Sequence, residues 1–211
     1  MTEPDTQLVL IRHGESNANV SQLLSGHDTC TGLSDRGKQQ AARLRDRLAR
    51  TRELQPTDVV YTSILPRTIE TAAIIGPALG GPAPLEECDW CEIHAGEAEG
   101  LTYEAFQERF PAFGHPDDPF RRRIPGGETW AEFSARVGAR LQRVAREHPG
   151  ERVVVVGHGG TIGASFVALG DLSIRQAMTL TRGAINSSIT EWRHNEHGWR
   201  LVRYNDAAHL L

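Results

Sequence analysis

Cysteine is scarce in this chain of 211 residues, with only Cys30, Cys88 and Cys91 present. So few, and an odd number, excludes a secreted framework stapled by disulfides. A chain of this length buries enough apolar surface to fold without such staples or a structural metal. Long hydrophobic runs are also missing: nothing approaches the roughly 20 apolar residues that span a bilayer. There is no basic excess, since the net charge is −4, so general binding to nucleic acid or an anionic membrane is not expected. The first residues, Met1 to Thr6, are polar and acidic, unlike a secretory leader, and a cytoplasmic location is expected. Internal repeats and low-complexity tracts are absent too. The remaining composition is that of an ordinary globular protein, 39% hydrophobic and 24% charged.

What is present alternates between two periodicities. Leu8–Ile11 is a short apolar run that reads as a buried strand and stops at Arg12-His13-Gly14. A helix is predicted from Ser34, a good N-cap, to about Arg50, with Ala41, Leu44 and Leu48 on one face. Asp58–Thr62 is a second strand. Pro66 suits the first turn of a helix running to about Leu79, which Gly80-Gly81-Pro82 ends. Residues 82–127 are rich in proline, glycine and charge and read as an insertion over the sheet edge, cap-like from about 88 to 127, with a short helix at Thr102–Arg109. Thr129 and Glu132 form a capping box, after which Trp130, Phe133, Val137, Leu141 and Val144 recur at helical spacing until Gly150. The valines Val153–Val156 read as a central parallel strand that ends at Gly157-His158-Gly159-Gly160, with another helix behind. A hairpin, Ser188–His194 and Trp199–Tyr204, closes the pattern. Alternating strands and helices imply one α/β domain over 1–211, a three-layer α/β/α sandwich on a mostly parallel sheet. Ligands in such sheets bind beyond the carboxyl ends of the strands, where His13 and His158 both fall.

Four segments carry chemistry. Arg12-His13-Gly14-Glu15-Ser16 sets an imidazole between a planar guanidinium, which matches phosphate oxygens, and a glycine that lets backbone come close. His158 lies between glycines at a helix N-terminus, where amides favour an anion. Arg67, in Ser63-Ile64-Leu65-Pro66-Arg67-Thr68-Ile69-Glu70-Thr71, occupies the first turn of a helix, a position that disfavours a cation unless an anion binds there. Glu92 lies in a loop beside the apolar Trp90, a setting suited to general acid work, with Glu97 and Glu99 as competitors that spacing alone does not separate. Taken singly, each has a plain reading as a strand-end turn or surface residue.

Taken together and in this order, the segments resemble the histidine phosphatase, or phosphoglycerate mutase-like, superfamily. The match covers about residues 7 to 204. Supporting segments fit as well: Asn19, Leu33-Ser34-x-x-Gly37-x-x-Gln40-Ala41 and Pro125-x-Gly127-Glu128-Thr129. The resemblance implies a phosphoglycerate mutase-like fold and a metal-independent phosphatase without a cofactor. It makes His13 the nucleophile that carries a phosphohistidine, and Arg12, Arg67 and a protonated His158 the binders of phosphoryl oxygens. Glu92 becomes the general acid and then the base for water. Asn19, Ser25, Gly26 and Gly159 line the substrate pocket.

Mutases of this family carry Arg-His-Tyr-Gly after the acid; here Glu92 is followed by Ile93-His94-Ala95-Gly96, which is similar instead to the broad-specificity phosphatases. The expected substrate is therefore a small phosphorylated metabolite. Arg121-Arg122-Arg123 keeps a mutase in view, with Arg122 and Arg123 as candidate binders of a second anionic group. A non-catalytic phosphate-binding module is the other alternative. Cys88-x-x-Cys91 has ligand-like spacing with His94 nearby, but a structural zinc wants four ligands and no second pair is visible, so no metal is expected, and a redox dithiol only as a minor reading. The natural substrate and the oligomeric state, a homodimer included, are not readable.

Overall fold

The structure, a computed structural model, describes residues 5–111 and 118–211. Residues 1–4 of the polar N-terminal stretch and 112–117 of the expected insertion lie outside the described residues. Strands β1 (Thr6–Arg12), β2 (Val59–Thr62), β3 (Leu85–Glu86), β4 (Arg152–Gly157), β5 (Ile189–Asn195) and β6 (Gly198–Asp206) form one sheet in the order β3-β2-β4-β1-β5-β6. The pairs β1–β4, β2–β4 and β2–β3 are parallel, and β1–β5 and β5–β6 are antiparallel.

The alternation of side chains along each strand divides the core into two layers. Val9, Ile11, Val60, Val154 and Val156 face α2 (Asp35–Thr51) and α3 (Pro66–Leu79). Leu8, Leu10, Tyr61, Val153 and Val155 face α5 (Trp130–Glu147), α6 (Gly159–Ala168) and α7 (Ile174–Thr181). Val153–Val156 are all fully buried. At about 1.5–3 kcal/mol for each such side chain, this strand anchors both layers.

β3 was not expected. Its two exposed residues follow Pro82 and Pro84 and carry no alternation, yet they pair with Tyr61 and Thr62 as the sheet's edge. α1 (Asn17–Val20) was also missed, being a single turn set by the reciprocal Ser16–Asn19 capping box rather than by an apolar face. Within 88–127, α4 (Tyr103–Arg109) matches the predicted short helix. A separate small core joins Ala98, Phe106 and Ile124 with Leu24 of the loop after α1.

The register of β1 on β4 decides what stands at the open end of the sheet. Arg12 pairs with Gly157, and the His13 amide donates to the Gly157 carbonyl at 2.9 Å. The histidines that follow these two residues are thus neighbours. The helix after β1 goes to one face and the helix after β4 to the other, which opens the crevice in which α/β sheets bind ligands.

α2 braces this crevice. Ser34 caps it by accepting from the Gly37 amide at 3.0 Å and donates to Glu15 Oε1 at 2.8 Å, while Gln40 accepts the Glu15 amide at 2.8 Å. The helix can approach so closely because Gly37 lacks a side chain: a Cβ there would sit 1.9 Å from the Glu15 carbonyl oxygen. Gly37→Ala is therefore expected to cost about 1–3 kcal/mol by overpacking. Urea unfolding measures this, and unchanged stability would contradict the packing described.

Candidate active site

His13, buried at the end of β1, directs Nδ1 to the Gly14 carbonyl at 2.6 Å. A carbonyl only accepts, so Nδ1 carries the proton and Nε2 is left with its lone pair. Burial first, then the charges of Arg67 and Arg12, hold the pKa of this imidazole well below the ordinary histidine value. Neutral His13 with a bare Nε2 is the form a nucleophile requires.

His158, fully buried, lies edge-on to His13 with ring centroids 5.3 Å apart. Its Nε2 meets Ser63 Oγ at 2.9 Å, and Arg67 Nε donates to its Nδ1 at 3.4 Å. Burial, and after it Arg67, keeps its pKa well below the ordinary value. The expectation of a protonated His158 is thus corrected for the free protein: an imidazole that accepts from a guanidinium is neutral. Positive charge in the cleft resides on the arginines.

Arg67 is the second residue of α3 and is buried. It also donates to the Ser25 carbonyl and to Cys30 Sγ, both at 3.3 Å. Arg12 donates to the Ala184 carbonyl, but its Nε is buried without a partner, as is Ser25 Oγ. Burial and, among the charges that oppose ionisation, Arg67 lower the Arg12 pKa, with Glu92 acting against them. A buried guanidinium, Arg67, beside a partly buried one, Arg12, whose Nε has no partner, is an arrangement suited to a dense anion.

The rest of the Ser63–Thr71 segment shapes this site. Thr71 Oγ1 accepts the Gly14 amide at 3.1 Å, and Glu70 accepts the Leu33 amide at 3.1 Å, so one helix holds both loops beside His13. Of the three carboxylates, Glu92 is the one that lines the cleft with His13. Glu99 is spent on the amides of Gly26, Asp28 and Thr29, and Glu97 pairs with Arg109 at 2.6 Å on the surface. Glu92 reaches the N-terminus of α6, where the Gly160 amide donates to it at 3.0 Å, and lines a cleft of about 170 Å³ with Arg12, His13, Arg67, Asn19 and Ser25. A Cβ on Gly160 would fall 2.0 Å from Glu92 Oε1, so this glycine admits the carboxylate.

The expected pocket residues divide. Asn19 and Ser25 line the cleft, and Asn19 Oδ1 holds the Ser16 amide at 3.0 Å. Gly26 gives its amide to Glu99 and lines an adjoining cavity, while Gly159 lies beside Arg12 with room for a Cβ 3.7 Å from its Nε. Arg122 turns to the Gly127 carbonyl and to Glu132, and neither it nor Arg123 lines the cleft. Sequence reasoning missed Tyr103, Phe106 and Ile124, which wall the cleft from the 88–127 segment. Their signal was only a short helix in a loop-rich stretch. It also missed His27, which meets Cys88 from a distant loop, so the absence of a second ligand pair near Cys88 and Cys91 holds along the chain but not in space.

The depressed histidine pKa values link to stability. The unfolded chain's histidines take protons near pH 6.5, where the buried ones do not, so the unfolded state binds more protons and stability falls as pH drops below about 6.5. Each such histidine contributes about 1.4 kcal/mol per pH unit to that slope. His13→Asn is expected to remove one histidine's share from the slope measured by urea unfolding between about pH 5 and 6.5. An unchanged slope would contradict the buried neutral form.

Comparison with known proteins identifies the family. The chain is 32% identical to phosphoglycerate mutase-like protein 4 of Arabidopsis thaliana over 97% of its length and 86% of the relative's. It is 31% identical to the metal-independent phosphoserine phosphatase of the same plant, over 97% and 83%. It superposes on the phosphoserine phosphatase of Entamoeba histolytica solved with 3-phosphoglyceric acid, with a TM-score of 0.81, 26% identity, and coverage of 98% of this chain and 100% of that one. No helix among the described residues is long and apolar enough to cross a membrane. The sequence profile of the histidine phosphatase superfamily, branch 1, matches residues 8–207, and the chain belongs to that superfamily.

Proposed function

We propose that this protein hydrolyses small phosphate monoesters through a phosphohistidine on His13. The observation that carries the reading is the bare Nε2 of a neutral histidine in a cleft lined by two guanidiniums, of which Arg12 has an unpartnered donor. Phosphoryl transfer asks an enzyme mainly for positioning and charge stabilisation, and this cleft offers both.

In the first step Nε2 of His13 bonds to phosphorus as the ester P–O bond breaks. Arg12 and Arg67 take up charge on the equatorial oxygens, and Glu92 gives its proton to the leaving oxygen. In the second step water attacks the phosphohistidine, Glu92 takes the water's proton, the N–P bond breaks, and phosphate leaves. Held by Arg67 and Ser63, His158 presents an imidazole that can accept a proton once a dianion is bound. The arginines supply the positive charge that other phosphoryl-transfer enzymes draw from Mg²⁺.

Two observations favour hydrolysis over a mutase. The run Arg121–Arg123 was the sequence feature that kept the mutase in view, and Arg122 is engaged away from the cleft. The residues after Glu92 also lack the mutase motif. A cleft of about 170 Å³ suits a small metabolite, and relatives that act on phosphoserine or hold 3-phosphoglyceric acid make those compounds the first to assay.

Turnover of p-nitrophenyl phosphate without added magnesium is the first test. His13→Ala is expected to lower it by more than about a thousandfold. Enzyme quenched in alkaline detergent should carry a label from labelled substrate that acid removes, absent in the variant. In a single turnover, Glu92→Gln is expected to slow transfer from alkyl esters such as phosphoserine to His13 by about 10²–10⁴-fold, and transfer from p-nitrophenyl phosphate far less, because nitrophenolate leaves without a proton. Wild-type protein that binds phosphate without turnover would leave only a phosphate-binding module. Equal Glu92→Gln losses on both esters in that transfer step would remove Glu92 from the acid's role.

A further inference from the structure

One cluster of side chains is not used by the chemistry above. Cys88 opens a short 3-10 turn, Cys88–Trp90, and the Cys91 amide closes on the Cys88 carbonyl at 2.9 Å, which puts both sulfurs on one side of the turn. His27 arrives from the loop after α1, and its ligand nitrogen and the two sulfurs all lie within 4.8 Å of one another. Cys88 Sγ is 3.4 Å from His27 Nε2 and 3.9 Å from His94 Nε2, and the two imidazoles stand with centroids 5.0 Å apart. Two thiols and the His27 imidazole therefore converge from two places in the sequence, and the His94 imidazole stands beside Cys88.

We propose that Cys88, Cys91, His27 and His94 form a tetrahedral site for Zn²⁺ or another divalent ion of similar softness. Zinc bonds of about 2.3 Å to sulfur and about 2.0–2.1 Å to nitrogen place ligand atoms roughly 3.3–3.8 Å apart. The sulfur–nitrogen separation of 3.4 Å already lies in that range, and the 3.9 Å contact lies just above it. The donors, two thiolates and two imidazoles, are those of structural zinc.

The groups behind the ligands point the same way. His94 turns its other nitrogen, Nδ1, toward Glu128 Oε2 at 3.8 Å, the carboxylate–histidine arrangement that orients a metal-bound imidazole. Arg136, itself paired with Glu128 at 2.7 Å, donates to the carbonyls of Cys88, Asp89 and Cys91 and so fixes the turn that carries the sulfurs. A redox dithiol would account for the cysteines but not for the two histidines or the carboxylate behind one of them. On binding, two S–H bonds give up their protons to solvent as two Zn–S bonds form.

The site's position gives the ion a purpose. Cys91 directly precedes Glu92, and His27 follows the Ser25 loop whose carbonyl receives Arg67. The ion would clip the loop over Arg67 to the loop that carries Glu92 without itself entering the reaction. The inference rests on these four side chains and stands or falls separately from the phosphatase reading.

Cobalt serves as the probe. The full chain, kept reduced and stripped of metal, is expected to bind one equivalent of Co²⁺, with thiolate-to-cobalt charge transfer in the near ultraviolet and tetrahedral d–d bands in the visible. Zn²⁺ should displace the cobalt and raise the unfolding midpoint. Cys88→Ser and His27→Ala alter exposed positions outside the core, so both are expected to fold and to bind at least about tenfold more weakly. Absence of the charge-transfer band in the wild-type chain would overturn the proposal. So would bands and affinity that survive unchanged in both variants.

Discussion

The pairing of β1 with β4 is the constraint on which the site depends. Parallel strands bring their carboxyl ends to the same edge, and this register sets Arg12 opposite Gly157. The backbone hydrogen bond from His13 to Gly157 then forces the two imidazoles together, although 145 positions separate them along the chain. A shift by one residue would turn the valines of β4 to the wrong layers and separate the histidines at the same time. Core packing and site geometry are one constraint here, since the strand that fills both layers also aims His158.

Electrostatics follow from where that edge lies. The site is buried enough to keep both imidazoles neutral, yet it holds two guanidiniums that cannot give up their charge. Such a pocket holds cationic charge in search of an anion. The protein tolerates it because each arginine is tied to backbone, Arg12 to the Ala184 carbonyl and Arg67 to Ser25. Glu92 is the nearby carboxyl group, held at the cleft wall by the α6 N-terminus. The same loop continues into the Cys88–His94 cluster, so whatever stiffens that cluster also fixes the carboxylate.

The main strands and helices were legible because their signals are local: a valine run, an N-cap serine, a capping box. The central site residues were legible because four motifs stand in a fixed order at strand ends. What escaped sequence reasoning depends on contacts across the chain. β3 exists only because β2 offers it an edge, and α1 only because Ser16 and Asn19 cap each other. The arginine run suggested a substrate anchor, but Arg122 found Glu132 on its own side of the fold. The protonated His158 was a statement about charge that ignored burial and the neighbouring guanidinium. His27 could not be joined to Cys88 from spacing at all.

The central claim is that His13 waits as a neutral imidazole with its proton on Nδ1 and its lone pair on Nε2. Nitrogen-15 NMR of the histidine side chains, with His13→Asn to assign the signal, reads this directly across about pH 6 to 8. The account expects a protonated Nδ1 and a bare Nε2 throughout that range. An imidazolium, or a proton found on Nε2, would contradict it.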